Sequence, residues 1–325
     1  MKKDLNDFEF LNDRLTVKGQ AYIDDRLSCG KEESDAGQTQ RAFSVKWEAL
    51  KDESENDQET WKIFQKDWYL KLYGFETEDS LKDFLSDKPL IIDAGCGKGY
   101  KAAWFAKLSP DSIVLGIDLS TSVFEAAVRY EKIKNLYFIR ADIAKIPLID
   151  GCADFVSCDQ VIHHTTDPPR TLREFRRILK KDHFLCNYVY AKKALPRELL
   201  DEHFRTASHD LPEEQLWSLS EKLTQLGKML SDLKLTLDFP EIKELGIKGG
   251  RQDLQRFIYW NFIKCFWNEE LGHEASVSGN FDWYAPSLAF RYTQEEFLEM
   301  SDDAGFENLY LHCEEACHTG CFRAI

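Results

Sequence analysis

The chain has 325 residues, room for two domains, and 43% of them are hydrophobic, enough for a sizeable core. Its 42 basic and 57 acidic residues give a formal charge of −15, which opposes a polyanion and argues against nucleic acid as a partner. No stretch approaches the ~18 uncharged apolar residues of a membrane span. The polar start "MKKDLNDFEF" reads as no secretory signal, and nine scattered cysteines, an odd number, suit a reducing cytoplasm better than a disulfide framework.

In chain order, residues 1–57 are polar and weakly patterned. "CGKEESDAGQ" and "KDESENDQET" read as loop or solvated helix, with Phe43 and Trp47 as a packing pair between them. "WKIFQKDWYLKLYGF" predicts a helix with Trp61, Phe64, Trp68 and Leu72 on one face and Gly74 as its stop. From residue 89 short apolar runs ("PLIIDAG", "SIVLGIDLS", "LYFIRAD", "ADFVSCDQ", "HFLCNYVYA") are interleaved with helical patterns ("YKAAWFAKL", "TSVFEAAVRYEKI", "RTLREFRRILKKD"). That order predicts βαβ units, an α/β class and a parallel sheet covered on both faces. Residues 194–285 break the alternation and read as helical. Leu216, Leu219, Leu223, Leu226, Leu230 and Leu233 form a seam that packs on its own chain, with a homodimer zipper as the alternative. Thr293 and Glu296 form a capping box for "TQEEFLEMSDDAG", Gly305 ends it, and two short strands close the chain. In the tail "CEEACHTGC", Cys313, Cys317 and Cys321 are spaced for a helix but sit in strand-like sequence, so no metal site is expected.

The loop "LIIDAGCGKGY" carries the chemistry. A dinucleotide loop reads G-x-G-x-x-G and receives a pyrophosphate. Here Gly95, Gly97 and Gly99 bring the third glycine one residue early, and Asp93 ends the strand before them. A carboxylate at that place repels a pyrophosphate and suits a ligand with positive charge. S-adenosylmethionine has an ammonium and a sulfonium, and no phosphate. Asp118 ends the next strand, where an acid accepts ribose hydroxyls, and Asp142 follows the third, placed to meet an adenine amino group.

"LIIDAGCGKGY", "VLGIDLS" and "IRADIAKIPLIDGCADFVSCDQVIHHTTDPPRTLREFRRILKKD" together resemble the class I S-adenosylmethionine-dependent methyltransferases, in the ubiquinone/menaquinone-methyltransferase-like branch, over residues 88–190. The resemblance implies a Rossmann-like, doubly wound sheet of seven strands, the last antiparallel. It implies S-adenosyl-L-methionine as cofactor, with Asp93, Gly95 and Gly97 at its methionine end, Asp118 and Leu119 at the ribose, and Asp142 and Ile143 at the adenine. Asp159 and Gln160 would line the junction of donor and acceptor, although family members often carry a small residue where Gln160 stands. "AFSVKWEAL" and "FDWYAP" look like a subgroup with a substrate lid, whose acceptors are sugar or natural-product intermediates.

The expected organisation is a helical extension (1–88), a cofactor domain (89–193 and 286–325) and a helical lid insert (194–285) above the carboxyl ends of the strands. In "VIHHTTDPP", His163 or His164 is the candidate general base, against a packing role for the pair. Alignment alone can drive methyl transfer from an activated sulfonium. Tyr259, Trp260, Trp283 and Tyr284, with Phe266 and Trp267, are candidate acceptor lining or lid core. The expected activity is methyl transfer to a small-molecule substrate. The alternatives are an inactive scaffold of the same fold and, more weakly, an oxidoreductase.

Overall fold

Leu90–Ala94 is buried at every position, as a strand covered on both faces must be. It is β1 of a computed structural model that describes residues 5–16, 35–49, 55–208 and 211–325. The other strands are β2 (Ile113–Asp118), β3 (Leu136–Arg140), β4 (Ala153–Cys158), β5 (Leu179–Ala191), β6 (Thr236–Phe239), β7 (Gly250–Asp253), β8 (Arg291–Tyr292), β9 (Phe306–Cys313) and β10 (Cys317–Ala324). The helices are α1 (Leu5–Asn12), α2 (Asp35–Ala49), α3 (Glu55–Leu72), α4 (Glu78–Leu85), α5 (Tyr100–Leu108), α6 (Ser122–Arg129), α7 (Pro168–Ile178), α8 (Leu195–Ser208), α9 (Glu213–Asp232), α10 (Leu254–Asn261), α11 (Gly272–Tyr284) and α12 (Gln294–Asp303).

The main sheet runs β3-β2-β1-β4-β5-β10-β9. The first five strands are mutually parallel, and β10 enters antiparallel between β5 and β9. The α/β class, the seven strands and the reversed last one agree with the sequence. An eighth strand, the two-residue β8, lies parallel beside the end of β5. The pleat sends Leu90, Ile92 and Ala94 into one core with Leu172, Phe175 and Phe297. Ile91 faces the other core, with Tyr69, Leu81, Phe105 and Phe155.

Asp167, which the sequence did not mark, caps α7 by accepting from the Arg170 N–H at 2.9 Å. Some local expectations are confirmed. Thr293 and Glu296 form the reciprocal box at the start of α12, and Gly305 follows its end with φ +86°. Others are corrected. The helix expected through "RTLREFRRILKKD" ends at Ile178, and Leu179–Asp182 already belong to β5. Ala153 pairs with Leu179 but Phe155 with Phe184, so extra residues bulge out of the strand, with Asp182 at φ +64°. The stripe expected on α3 is displaced. Tyr69, Leu72 and the adjoining Tyr73 are buried, whereas Phe64 is 36% exposed. The Trp61 and Trp47 side chains lie outside the described residues, and with them the start of that stripe and the Phe43–Trp47 pair.

The chain separates into two compact units. The first comprises the described residues of Met1–Gly37, Lys62–Ala191 and Phe290–Ile325, the second those of Gln38–Trp61 and Lys192–Ala289. The stretch 1–88 is therefore divided between them rather than forming an extension of its own. The second unit is not wholly helical, because β6 and β7 pair as an antiparallel hairpin. Nor does the leucine seam persist along α9. Leu216 and Leu223 are buried, but Leu226 and Leu233 are 37% and 55% exposed. The helix turns 3.6 residues per turn, so its buried face drifts off the leucines onto Ser220, Thr224 and Gly227.

Gly227 has a specific reason to be glycine. A Cβ there would stand 2.2 Å from the Cys265 carbonyl oxygen. Alanine at a free helical site gains roughly 1 kcal/mol over glycine. Here overpacking, about 1–3 kcal/mol, opposes that gain. Gly227→Ala is expected to lower the urea midpoint. A raised midpoint would mean that the Cys265 backbone yields.

Candidate functional site

Four parallel strands end in acids. Asp93 lies near the end of β1 and Asp118 ends β2. Asp142 lies just beyond β3, and Asp159 follows β4 directly. Since the spatial order is β3-β2-β1-β4, the acids stand in the order Asp142, Asp118, Asp93, Asp159 along one edge. At about 4.8 Å per strand they span roughly 14 Å, the reach of a nucleoside with a short tail.

Asp93 is 2% exposed, and its Oδ2 has no hydrogen-bond partner among the described residues. Burial pushes its carboxyl up to about 7, against the lowering effect of the Lys101 ammonium. The following turn is glycine-built. Gly95, Gly97 and Gly99 all have positive φ, at 81°, 51° and 74°. A Cβ on Gly95 would stand 2.3 Å from the Val161 side chain, so the turn cannot accept a larger residue without moving β4's exit loop. The Gly97 N–H donates to Asp118 Oδ2 at 2.8 Å, and Ser120 donates to Oδ1 through N–H at 2.8 Å and hydroxyl at 2.6 Å. Asp118 thereby ties the glycine turn to the end of the neighbouring strand. Leu119 is half-buried, and its carbonyl accepts from Arg140 Nε at 2.9 Å. Asp142 is exposed and accepts the Ala144 N–H at 2.8 Å, while Ile143 is buried.

Asp159 is buried and heavily bound. Tyr73 donates to Oδ1 at 2.9 Å, the Lys101 ammonium pairs with Oδ2, and Gln160 donates to Oδ2 at 3.2 Å. Gln160 sits at φ +65° and also donates to Gln65 Oε1 at 3.2 Å. The sequence did not mark Lys101, Tyr73 or Gln65. Lys101 was legible in principle as the cation in the first turn after the glycines. Tyr73 was not, because its contact with Asp159 comes from how α3 docks on the sheet.

His163 and His164 form a short 3-10 helix after β4. His163 is wholly buried, its ring centroid 3.8 Å from that of Tyr190 and Nδ1 3.4 Å from the Tyr188 carbonyl. His164 is 9% exposed and meets Tyr190 edge-on. The candidate acceptor residues lie in the second unit. Trp283 Nε1 donates to Asp201 Oδ2 at 2.7 Å, Tyr284 to Oδ1 at 2.8 Å, and Arg197 Nε to Oδ2 at 2.7 Å. Tyr259 accepts from the Lys264 ammonium at 3.0 Å, and half-buried Trp260 packs against it with ring centroids 4.4 Å apart. The polar ends of Trp283 and Tyr284 are thus engaged inside their own unit.

A methyltransferase-domain family model matches residues 92–186. A tRNA (guanine-N(7)-)-methyltransferase of Streptococcus pyogenes is 33% identical over 156 residues, 46% of this chain and 69% of that protein. The chain belongs to the class I S-adenosylmethionine-dependent methyltransferases. A malonyl-[acyl-carrier protein] O-methyltransferase of Legionella pneumophila is 32% identical over 90 residues, 27% of this methyltransferase and 32% of that protein. The matches to the first curated relatives span between 26% and 38% of those proteins' own length. Magnesium protoporphyrin IX methyltransferase from Synechocystis, solved with bound SAH, aligns at TM-score 0.46 and 16% identity, covering 90% of this chain and 100% of that one. Among the described residues no helix is long and apolar enough to cross a membrane, and no cluster of His, Cys, Asp and Glu could hold a metal ion.

The residues present fit a cationic nucleoside. The free Asp93 oxygen, the glycine turn and four carboxylates suit an ammonium, a sulfonium, a ribose and an adenine better than a phosphate. The Asp93 carboxyl also makes a testable contribution to stability. Its folded value is raised above 3.8, so the folded state holds a proton that the unfolded chain has lost. Stability should therefore fall as pH rises through about 7, by about 2–3 kcal/mol between about pH 5 and pH 8. Asp93→Asn is expected to remove that slope in urea titrations at the two pH values. An unchanged slope would assign it to other groups.

Proposed function

We propose that this methyltransferase moves a methyl group from S-adenosyl-L-methionine to an O, N or C nucleophile on a small-molecule acceptor. The row of strand-end acids beside a glycine turn is the observation that carries the reading. When bound, the donor supplies a methyl group already activated by the sulfonium charge. Asp93 would hold the ammonium with its free Oδ2, Asp118 the ribose hydroxyls, and Asp142 with Ile143 the adenine. Asp159 and Gln160 would border the reacting centre. The rest is alignment, which can supply much of the barrier reduction, with His164 as candidate general base because it is the less buried of the pair.

Tyr259, Trp260, Trp283 and Tyr284 would bind the acceptor. Cations gather on these rings. Lys193 stands 5.5 Å from Trp260 and Lys264 4.9 Å from Trp283. In a chain of charge −15 that concentration favours an acceptor bearing a negative group. A sugar acid or a natural-product carboxylate fits, in keeping with the lid-bearing branch that the sequence resembles. The relative that acts on tRNA is the observation for an RNA acceptor. The net charge weighs against it.

Calorimetry tests the core of the reading. S-adenosylmethionine is expected to bind in the micromolar range and NAD not measurably. Asp118→Ala should lose roughly 1.5–3 kcal/mol of that affinity, because the ribose hydroxyls lose a charged acceptor. Equal binding by the variant would remove Asp118 from the site. Methyl transfer to small carboxylated acceptors is expected to exceed transfer to unmodified tRNA, and the reverse ranking would select the RNA reading.

A further inference from the structure

Cys186 and Cys321 face each other across the β5–β10 ladder as directly opposed residues. Their sulfurs are 3.0 Å apart, inside the contact distance of two separate thiols. Directly opposed residues of an antiparallel pair have Cα atoms about 4.5–5.5 Å apart, within the 4.4–6.8 Å a disulfide accepts. The pair is asymmetric. Cys186 is wholly buried, and burial, then the neighbouring Cys321 thiol, pushes its thiol well above the ordinary value. Cys321 is half-buried.

We propose that Cys186 and Cys321 are a reversible disulfide site, closed by a peroxide, and that closure loosens the support of the cofactor-edge acid Asp159. The Cys321 sulfur attacks the peroxide. An S–O bond forms, the O–O bond breaks, and the thiol proton leaves with the first water. The Cys186 sulfur then attacks the sulfenic sulfur. The S–S bond forms as the S–O bond breaks, and the second water departs with the remaining proton. Two thiols are oxidised, one peroxide is reduced, and a small dithiol reverses the bond by exchange. The half-buried partner reacting first and the wholly buried one resolving follows from their burial.

The connection to the acid runs through the end of α3. The Cys321 thiol donates to the Tyr73 carbonyl at 3.5 Å, and the Tyr73 hydroxyl donates to Asp159 at 2.9 Å. Beside it Ser157, which pairs with Cys186 across β4 and β5, shares a 3.1 Å hydrogen bond with the Tyr69 hydroxyl. A disulfide has no S–H. Closing it removes the donor to Tyr73 and draws the sulfurs together by about 1 Å, to the ~2.05 Å of the bond. The thiol pair stands independently of the cofactor reading, whereas the effect on Asp159 rests on it.

The folded full chain is treated with hydrogen peroxide, quenched by alkylation and digested without reductant. The expected product is one cross-linked peptide pair containing Cys186 and Cys321, two hydrogens lighter than the reduced pair and returned to thiols by dithiothreitol. Cys321→Ser, at the half-buried position, should abolish it while keeping the reduced protein's melting temperature. Cys186→Ala gives a second variant should the first fail to fold. Recovery of both cysteines fully alkylated, or cross-linked to other partners, overturns the site. Calorimetry with S-adenosylhomocysteine then compares reduced and oxidised wild type. An affinity about fivefold weaker after oxidation is expected, the size of one modest hydrogen bond. A complete disulfide with unchanged affinity overturns the coupling, and no binding in either state overturns the cofactor reading instead.

Discussion

The structure depends on keeping a carboxylate, Asp93, at the buried end of a central strand with one oxygen unsatisfied among the described residues. A buried unpaired polar atom costs about 1–3 kcal/mol, and more when charged. Such groups are few in native folds. The surroundings are arranged accordingly. β1 has parallel neighbours on both sides, so Asp93 is held rigidly. The glycine turn after it leaves backbone where side chains would otherwise fill the space. Lys101, whose charge lowers the Asp93 value, spends its ammonium on Asp159. Position, openness and partial neutralisation are set by residues from three separate elements.

That division explains what the sequence revealed. β1, β2 and β4 are apolar runs buried on both faces, so they were legible from composition alone, and the acids at their ends were legible as interruptions of apolar runs. The α12 capping box was legible because its two partners are three residues apart. The Asp159 cradle was not. Tyr73 and Asp159 are separated by 86 positions, and only the docking of α3 joins them. The true buried face of α3 was likewise hidden, because an aromatic stripe at helical spacing does not say which of two adjacent faces the sheet will take. The leucines of α9 misled for a related reason. A seam of alternating three- and four-residue steps suits a partner helix at every turn, whereas here the Cys265 backbone approaches closely enough to demand glycine.

Family membership fixes the frame of the first unit; in the second unit the Arg197–Asp201 pair is buried. Removing one partner of such a pair commonly costs 3–5 kcal/mol, while apolar replacement of both is often tolerated. Besides Arg197 of its own helix, the Asp201 carboxylate accepts from Trp283 and Tyr284, and these two hydrogen bonds bring α8 and α11 together with defined geometry. That is worth more for holding Trp283 and Tyr284 in fixed orientations than for raw stability.

The short strand β8 has a topological meaning. It pairs Arg291 and Tyr292 with Tyr190 and Ala191, so the longer segment of the second unit, Lys192–Ala289, departs and returns at adjacent positions on one strand. The departing and returning ends are fastened a single strand spacing apart, about 4.8 Å. Everything between them is, to the sheet, a closed loop whose closure is already made by hydrogen bonds in the first unit. Loop length adds little once the ends are fixed, about 0.6 kcal/mol for each doubling. The sheet can therefore carry an insertion of almost any size or architecture at this point. Lengthening or replacing the inserted segment at this junction is an evolutionary move that leaves the strand ladder untouched.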